Sequence, residues 1–169
     1  MGMKTFISSS GSIFLVLFLH IQIAIAHGTE KHQGETGKTD HMKEMYALKE
    51  SIPEDYQIME RTPIVPDEQS VQQGQKLFIQ NCAVCHGEFG DGKGPAAASM
   101  STPPANLLDK KHSAIYGPGE KYWIIGNGPG KTGMPGFSKI GSLDRWNLVN
   151  YILHLQKQIT AGNKGHENH

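Results

Sequence analysis

Two thiols and an imidazole stand together at Cys82-Ala83-Val84-Cys85-His86, and this C-x-x-C-H spacing is that of a site where a haem is attached covalently. The two sulfurs would add across the two haem vinyl groups, and the adjacent histidine would give the iron its fifth ligand through an imidazole nitrogen. The chain carries one such run and only 2 cysteines, so one haem c attached through Cys82 and Cys85 is expected. Two other chemistries use a C-x-x-C. A dithiol redox motif calls for a βαβ pattern around it, which this sequence does not show. A closed zinc site needs four ligands, and the missing two would have to be histidines such as His112 and His154, remote and at no finger spacing.

The elements that must position these residues are legible around them. Ser70 followed by Gln73 predicts a capping box, opening a helix in which Val71, Gly74, Phe78 and Cys82 share one face. A last helix is predicted from Ser142 or Leu143 to about Lys157. Its stripe of Leu148, Tyr151, Ile152, Leu155 and Ile159 is flanked by a second of Trp146, Val149 and Leu153, so its apolar face is wide enough to cover two surfaces, expected to be the first helix and the haem. A shorter helix is predicted over about 119–125, carrying Tyr122 and Trp123. Between His86 and that helix runs a long loop punctuated by Gly90, Gly92, Gly94, Pro95, Pro103 and Pro104.

Taken in this order, the signals resemble a class I cytochrome c of the small bacterial single-haem kind, over about residues 70–157. Gly74-x-x-x-Phe78-x-x-x-Cys82 matches the family's first helix, whose glycine lets a second helix cross closely. Met134-Pro135, within Gly133-Met134-Pro135-Gly136-Phe137, looks like the loop that carries the methionine ligand. Leu148, Tyr151 and Ile152 fall where the family's last helix meets the first helix and the haem. The resemblance implies an all-α class I cytochrome c fold, three to four short helices around one haem c with the N- and C-terminal helices crossing. It also implies His86 and Met134 as the two iron ligands. Met100 is the other methionine to weigh, but it follows His86 closely in an Ala-Ser-rich stretch, whereas Met134 has glycines for close approach and a proline to fix the turn. The second ring nitrogen of His86 needs an acceptor to fix its orientation. Gly94-Pro95 is the expected source, which makes Pro95 a cofactor-binding residue, with Pro104 as the alternative. The bland reading is that these prolines only stiffen a loop.

Residues 1–26 read as a signal peptide, with Lys4 in a positive start, an apolar run from Ile13 to Ile25 broken by His20 and Gln22, and an A-x-A end at Ala24-Ile25-Ala26. The rival is an uncleaved anchor, which takes roughly 20 predominantly apolar residues. Ser8, Ser9, Ser10, Gly11 and Ser12 shorten the run, so cleavage near Ala26 and a periplasmic location are expected. Residues 27–69 are expected to be a flexible acidic tether: too polar to fold over 27–40, with a short helix over about 41–49 capped by Asp40, and then kept extended by Pro53, Pro63 and Pro66. Alternatively Tyr46, Tyr56, Ile58 and Met59 would make it a docking peptide. The haem domain is assigned to 70–158 and a flexible tail to 159–169.

Histidine and methionine together leave no open position for dioxygen or peroxide, and the thioether raises the reduction potential. The expectation is therefore an electron-transfer protein rather than an enzyme: a periplasmic carrier cycling between Fe(II) and Fe(III). The alternative is a haem c subunit or tethered domain of a larger respiratory or dehydrogenase complex. A haem enzyme or gas sensor would need a displaceable sixth ligand. The expected partners are redox proteins, with no nucleic acid, membrane contact only through a partner complex or an uncleaved signal segment, and a monomeric state. The formal net charge of zero hides an asymmetry: residues 27–69 carry five Lys or Arg against ten Asp or Glu, residues 70–158 nine against five. Lys76, Lys93, Lys131 and Lys139 would then steer the haem edge toward an acidic partner.

Overall fold

The computed structural model describes residues 33–164, and among these there are seven α-helices and no strand. They are α1 (Gln33–Ser51), α2 (Glu54–Gln57), α3 (Glu68–Asn81), α4 (Ala83–His86), α5 (Lys110–Ser113), α6 (Pro118–Asn127) and α7 (Ser142–Lys164), with a 3-10 turn at Ala97–Ser99. The all-α expectation holds. The segment read as a signal peptide lies outside the described residues. None of the described helices is long and apolar enough to cross a membrane.

The framework is the crossing of α3 and α7. Helix α3 begins one turn earlier than the capping-box reading placed it, because Asp67 is the N-cap: its backbone is extended and its carboxylate accepts the Ser70 N–H at 2.8 Å. The buried face is Ser70, Gly74 and Phe78, a four-residue step that stays on one side of a helix. At Gly74 the two backbones touch: a Cβ there would lie 2.0 Å from the Asn147 carbonyl oxygen and 2.7 Å from Tyr151 Cβ. Phe78 then meets Tyr151 ring to ring at 5.4 Å. Across the same seam, Ser70 Oγ donates to Asn147 Oδ1 at 2.7 Å and Asn150 Nδ2 donates to Ser70 Oγ at 2.9 Å. These bonds supply partners to polar groups that would otherwise be buried at a cost.

Helix α7 buries every residue from Trp146 to Ile152, so its wide face does cover two surfaces. One is α3. The other is α6, which the sequence reading did not name, where Trp146 stacks on Tyr122 with ring centroids 4.1 Å apart. The α7 backbone stays helical to Lys164, beyond the predicted end, so the first part of the expected tail is helix. Helix α6 opens with Pro118 at its first turn, where a missing N–H costs nothing, and spans the predicted region with extra residues at each end.

The expected tether is the main correction. Between Met45 and Met59 the chain is held on the helical core at several points rather than standing free of it. Ile52 is 2% exposed, Tyr56 stacks on Tyr122 at 6.0 Å, and Tyr116 Oη donates to the Met45 carbonyl at 3.0 Å. Lys49 Nζ donates to the Ile115 carbonyl at 2.6 Å and pairs with Glu120, itself 1% exposed, at 3.1 Å. Gly119 makes the approach feasible, since a Cβ there would be 2.2 Å from the Tyr56 carbonyl oxygen. The apolar anchors Ile52, Tyr56 and Met59 lie beyond the polar stretch 27–40 and pack against this chain's own core rather than a partner. Pro53 is itself extended (φ −56°, ψ 140°), but as the N-cap of α2, where the chain turns helical instead of running on extended. Of the residues offered as a docking peptide, Tyr56 and Met59 pack against the core, while Tyr46 and Ile58 remain exposed.

Lys121 is the second lysine of this junction, donating to the carbonyls of Ser113 (3.0 Å) and Tyr116. Burial pushes its pKa down to about 8, against the upward pull of the Glu120 carboxylate, with Lys49 adding to the fall. Burial, with Glu120 nearby, pushes the Tyr116 phenol up to about 12.

Candidate functional site

The C-x-x-C-H run is a single helical turn that restarts after α3. Cys82 closes α3 with its N–H on the Phe78 carbonyl at 2.8 Å, and then accepts from the N–H groups of Cys85 (3.1 Å) and His86 (2.9 Å). Residues at i, i+3 and i+4 of a helical turn share a face, so the backbone presents both thiols and the imidazole together. Gly87 ends the turn with φ +77° and its N–H on the Ala83 carbonyl at 2.9 Å. Both cysteines are free and half-buried. Burial pushes the Cys82 thiol up to about 12, with Cys85 beside it adding to the rise. A dithiol exchange enzyme needs the opposite, a nucleophile with a depressed pKa. Among the described residues no group of three or more His, Cys, Asp or Glu could hold a metal ion, so the zinc reading finds no ligand set.

His86 Nδ1 lies 3.0 Å from the Ala105 carbonyl oxygen. As a donor there, Nδ1 fixes the ring and leaves Nε2 with the free lone pair that a metal takes. This corrects the expectation for Pro95, which is exposed, and also the alternative, since the acceptor is the residue after Pro104. The physical reason lies in the glycine before Pro95. A Cβ on Gly94 would be 2.5 Å from the carbonyl oxygens of both Ala83 and Val84, so Gly94 rests directly on the ligand turn. Its N–H donates to Cys85 O at 3.0 Å and that of Ala96 to Val84 O at 2.9 Å. Gly94-Pro95 is therefore spent on anchoring the loop, and the chain returns over Gly92 at Pro103-Pro104-Ala105 to meet the histidine. Gly92 allows that return: a Cβ there would be 2.8 Å from the Pro104 carbonyl oxygen.

Met134 is half-buried on a loop clamped to the end of α6. Phe137 N–H donates to Ile125 O at 2.8 Å, and Gly128, at φ +75°, would bring a Cβ to 2.8 Å from Met134 O. Arg145 of α7 backs the clamp: Nε donates to Ile140 O at 3.1 Å, and the guanidinium lies 4.4 Å over the Tyr122 ring. Apolar side chains pack beside the loop at Gly90. Leu107 N–H bonds to Gly90 O at 2.8 Å, and a Cβ on Gly90 would touch Leu155 Cδ1 and Leu107. Neither Ala105 nor Leu107 was singled out from the sequence; the Pro103-Pro104 pair was the only signal near them.

These donors fit a haem c. Two free thiols share one helical turn, an imidazole is oriented by a backbone carbonyl, and a thioether stands on a pinned glycine-proline loop. Thr132 Oγ1, two residues before Met134, is enclosed without a hydrogen-bond partner among the described residues, which suits a bound group with a polar edge. Two open clefts of about 680 and 690 Å³ are lined by none of Cys82, Cys85, His86 and Met134 and do not belong to the site.

Comparison with known proteins agrees. The family profile described as Cytochrome c matches residues 71–156. A solved structure, the Kuenenia stuttgartiensis reducing HAO-like protein complex Kustc0457/Kustc0458, contains a chain to which this one is similar, at 27% identity and a TM-score of 0.51. The match covers 55% of this chain and 46% of that one, so this chain spans less than half of that neighbour. No curated protein matches.

Proposed function

The chain belongs to the cytochrome c family, and from that premise we propose that it is an exported carrier of single electrons, holding one haem c through Cys82, Cys85, His86 and Met134. The observation that carries the reading is the ligand turn itself, with His86 Nδ1 held on the Ala105 carbonyl at 3.0 Å. When bound, the haem supplies an iron that takes up and releases one electron. The residues of this chain do the rest. Cys82 and Cys85 tether the group at the end of α3. Ala105 keeps the His86 ring from turning and makes it a better ligand. Met134 contributes a thioether, which favours the reduced state, and its clamp on α6 keeps that sulfur in place. With His86 and Met134 both engaged, the chain offers no open position to dioxygen or peroxide.

The periplasm is the compartment proposed, on the strength of residues 1–26. A second reading, a haem subunit resident in a larger oxidoreductase complex, is favoured by the similarity to a chain of a reducing HAO-like complex. Fractionation of native cells followed by gel filtration of the haem-stained protein separates the two. A free carrier elutes near its own mass, 18.5 kDa or less, from the periplasmic fraction; a resident subunit elutes with its complex. Loss of covalent haem staining in Cys82→Ser or Cys85→Ser is expected under both, and retention in the double substitution would refute both.

A further inference from the structure

The two flanks of Met134 are held very differently. On the far side, residues 135–137 are clamped to α6 through Gly136, whose Cβ would lie 2.8 Å from Gly126 O, and through the Phe137 N–H. On the near side, Gly133 has φ +74°, and a Cβ built on it would have a single heavy atom of the described residues within 4 Å beyond its chain neighbours: Met100 Cε, at 3.7 Å. Gly130, three residues before, would meet nothing within 4 Å among the described residues. Between them Thr132 Oγ1 is enclosed, and on the Cβ side of Gly133 the one neighbouring side chain among the described residues is Met100.

That side chain comes from the other half of the site. The loop leading to Met100 is rooted on the ligand turn by three backbone bonds, Gly92 N–H to His86 O (2.8 Å), Gly94 N–H to Cys85 O (3.0 Å) and Ala96 N–H to Val84 O (2.9 Å). It then tightens through the 3-10 turn Ala97–Ser99, closed by Ser99 Oγ on Ala96 O at 2.8 Å. Met100 leaves that turn in extended backbone (φ −89°, ψ 136°) and is half-buried. An unbranched thioether side chain has the reach and the softness to fill such an irregular gap.

We propose that Met100 is a positioning residue for Met134: it ties the cysteine-histidine turn to the methionine loop by bracing Gly133, and so sets how readily Met134 leaves the iron. The proposal rests on the reading of Met134 as the sixth ligand. Its contribution is apolar contact rather than ligation, so an apolar arm of similar length should replace it and a shorter one should not.

The test is the series Met100→Leu, Met100→Val and Met100→Ala in the haem-loaded protein. The readouts are the rate at which imidazole or cyanide displaces the native sixth ligand from the ferric form, and the pH at which the sulfur-to-iron absorbance band is lost. Leucine is expected to stay within about twofold of the parent, and alanine to be displaced about tenfold faster with loss of the band at lower pH, with valine between them, since the cost follows the contact removed. Equal rates across the series would overturn the proposal. So would loss of the band at neutral pH in all three variants, because Met100 would then itself be the ligand. Should the alanine protein not take up haem, the comparison of leucine with valine decides. Met134→Ala is run alongside: if it keeps the band, the ligand assignment fails, whatever the Met100 series shows.

Discussion

Gly74→Ala sets two effects of known size against each other. Alanine in a helix interior is favoured over glycine by about 1 kcal/mol, so on propensity alone the variant would be more stable. The structure argues the opposite sign. The added Cβ would lie 2.0 Å from the Asn147 carbonyl oxygen, 2.7 Å from its carbon and 2.7 Å from Tyr151 Cβ. Two of these are backbone atoms within α7, and no rotamer change can clear them. The helices must separate by about 1 Å or more, an overpacking cost of roughly 1–3 kcal/mol and occasionally more. The same separation stretches the Ser70–Asn147 and Asn150–Ser70 bonds, now 2.7 and 2.9 Å, each worth about 1 kcal/mol. Net destabilisation of about 2–4 kcal/mol is expected. Denaturant unfolding of the haem-loaded protein, followed by far-ultraviolet circular dichroism, measures it. Stability equal to or above that of the parent would mean that α3 and α7 do not cross at Gly74, and the framework described for the site would be wrong.

Three further outcomes follow from the arm, the buried lysine and the surface. A chain beginning at Asp67 loses the burial of Ile52 and strips Glu120 of Lys49, so its denaturant midpoint should fall by the equivalent of about 2 kcal/mol or more; an unchanged midpoint would restore the picture of a free tether. Lys121 titrates near 8 in the folded chain against 10.5 as its ordinary value, so between these values the unfolded chain binds more protons and stability should rise with pH. Tyr116, raised from 10.0 to about 12, works the other way above about pH 10; the rise is therefore sought between pH 8 and 10, and its persistence in Lys121→Met would assign it elsewhere. Lys76, Lys93, Lys131 and Lys139 are all exposed, and electron transfer to an acidic protein partner should slow steeply as salt goes from about 0.1 to 1 M, where the screening length falls from about 10 to 3 Å; a flat stopped-flow rate would remove these lysines from docking.

What the sequence made legible were features fixed by local chemistry. The C-x-x-C-H spacing marks the haem attachment site, though not the helical turn that carries it, and Gly74 with Phe78 marks a face on which two helices meet. The breadth of the α7 stripe called for a second surface besides α3; the haem was expected there, and the packing of Trp146 on Tyr122 of α6 was not foreseen. The misreadings came from contacts that local pattern does not encode. The acceptor for His86 depends on how the chain folds back after Gly94, and only the packing of Gly94 on the Ala83 and Val84 carbonyls shows that Pro95 is occupied elsewhere. The arm before α3 is polar on average, yet Lys49 finds partners some seventy residues away at Ile115 and Glu120, and Tyr56 at Tyr122. Asp67 outcompeted Ser70 as the cap of α3 because Ser70 is needed across the helix seam, bonded to Asn147 and Asn150.

The central claim is that one haem, held by His86 and Met134, carries single electrons. The optical spectrum of the oxidised protein, parent beside Met134→Ala, tests it most directly. The parent should be low-spin with the weak near-infrared sulfur-to-iron band and should not bind carbon monoxide when reduced; Met134→Ala should lose the band, turn high-spin and bind carbon monoxide readily. A parent that is already high-spin, or a Met134→Ala protein whose spectrum matches the parent's, would contradict the account.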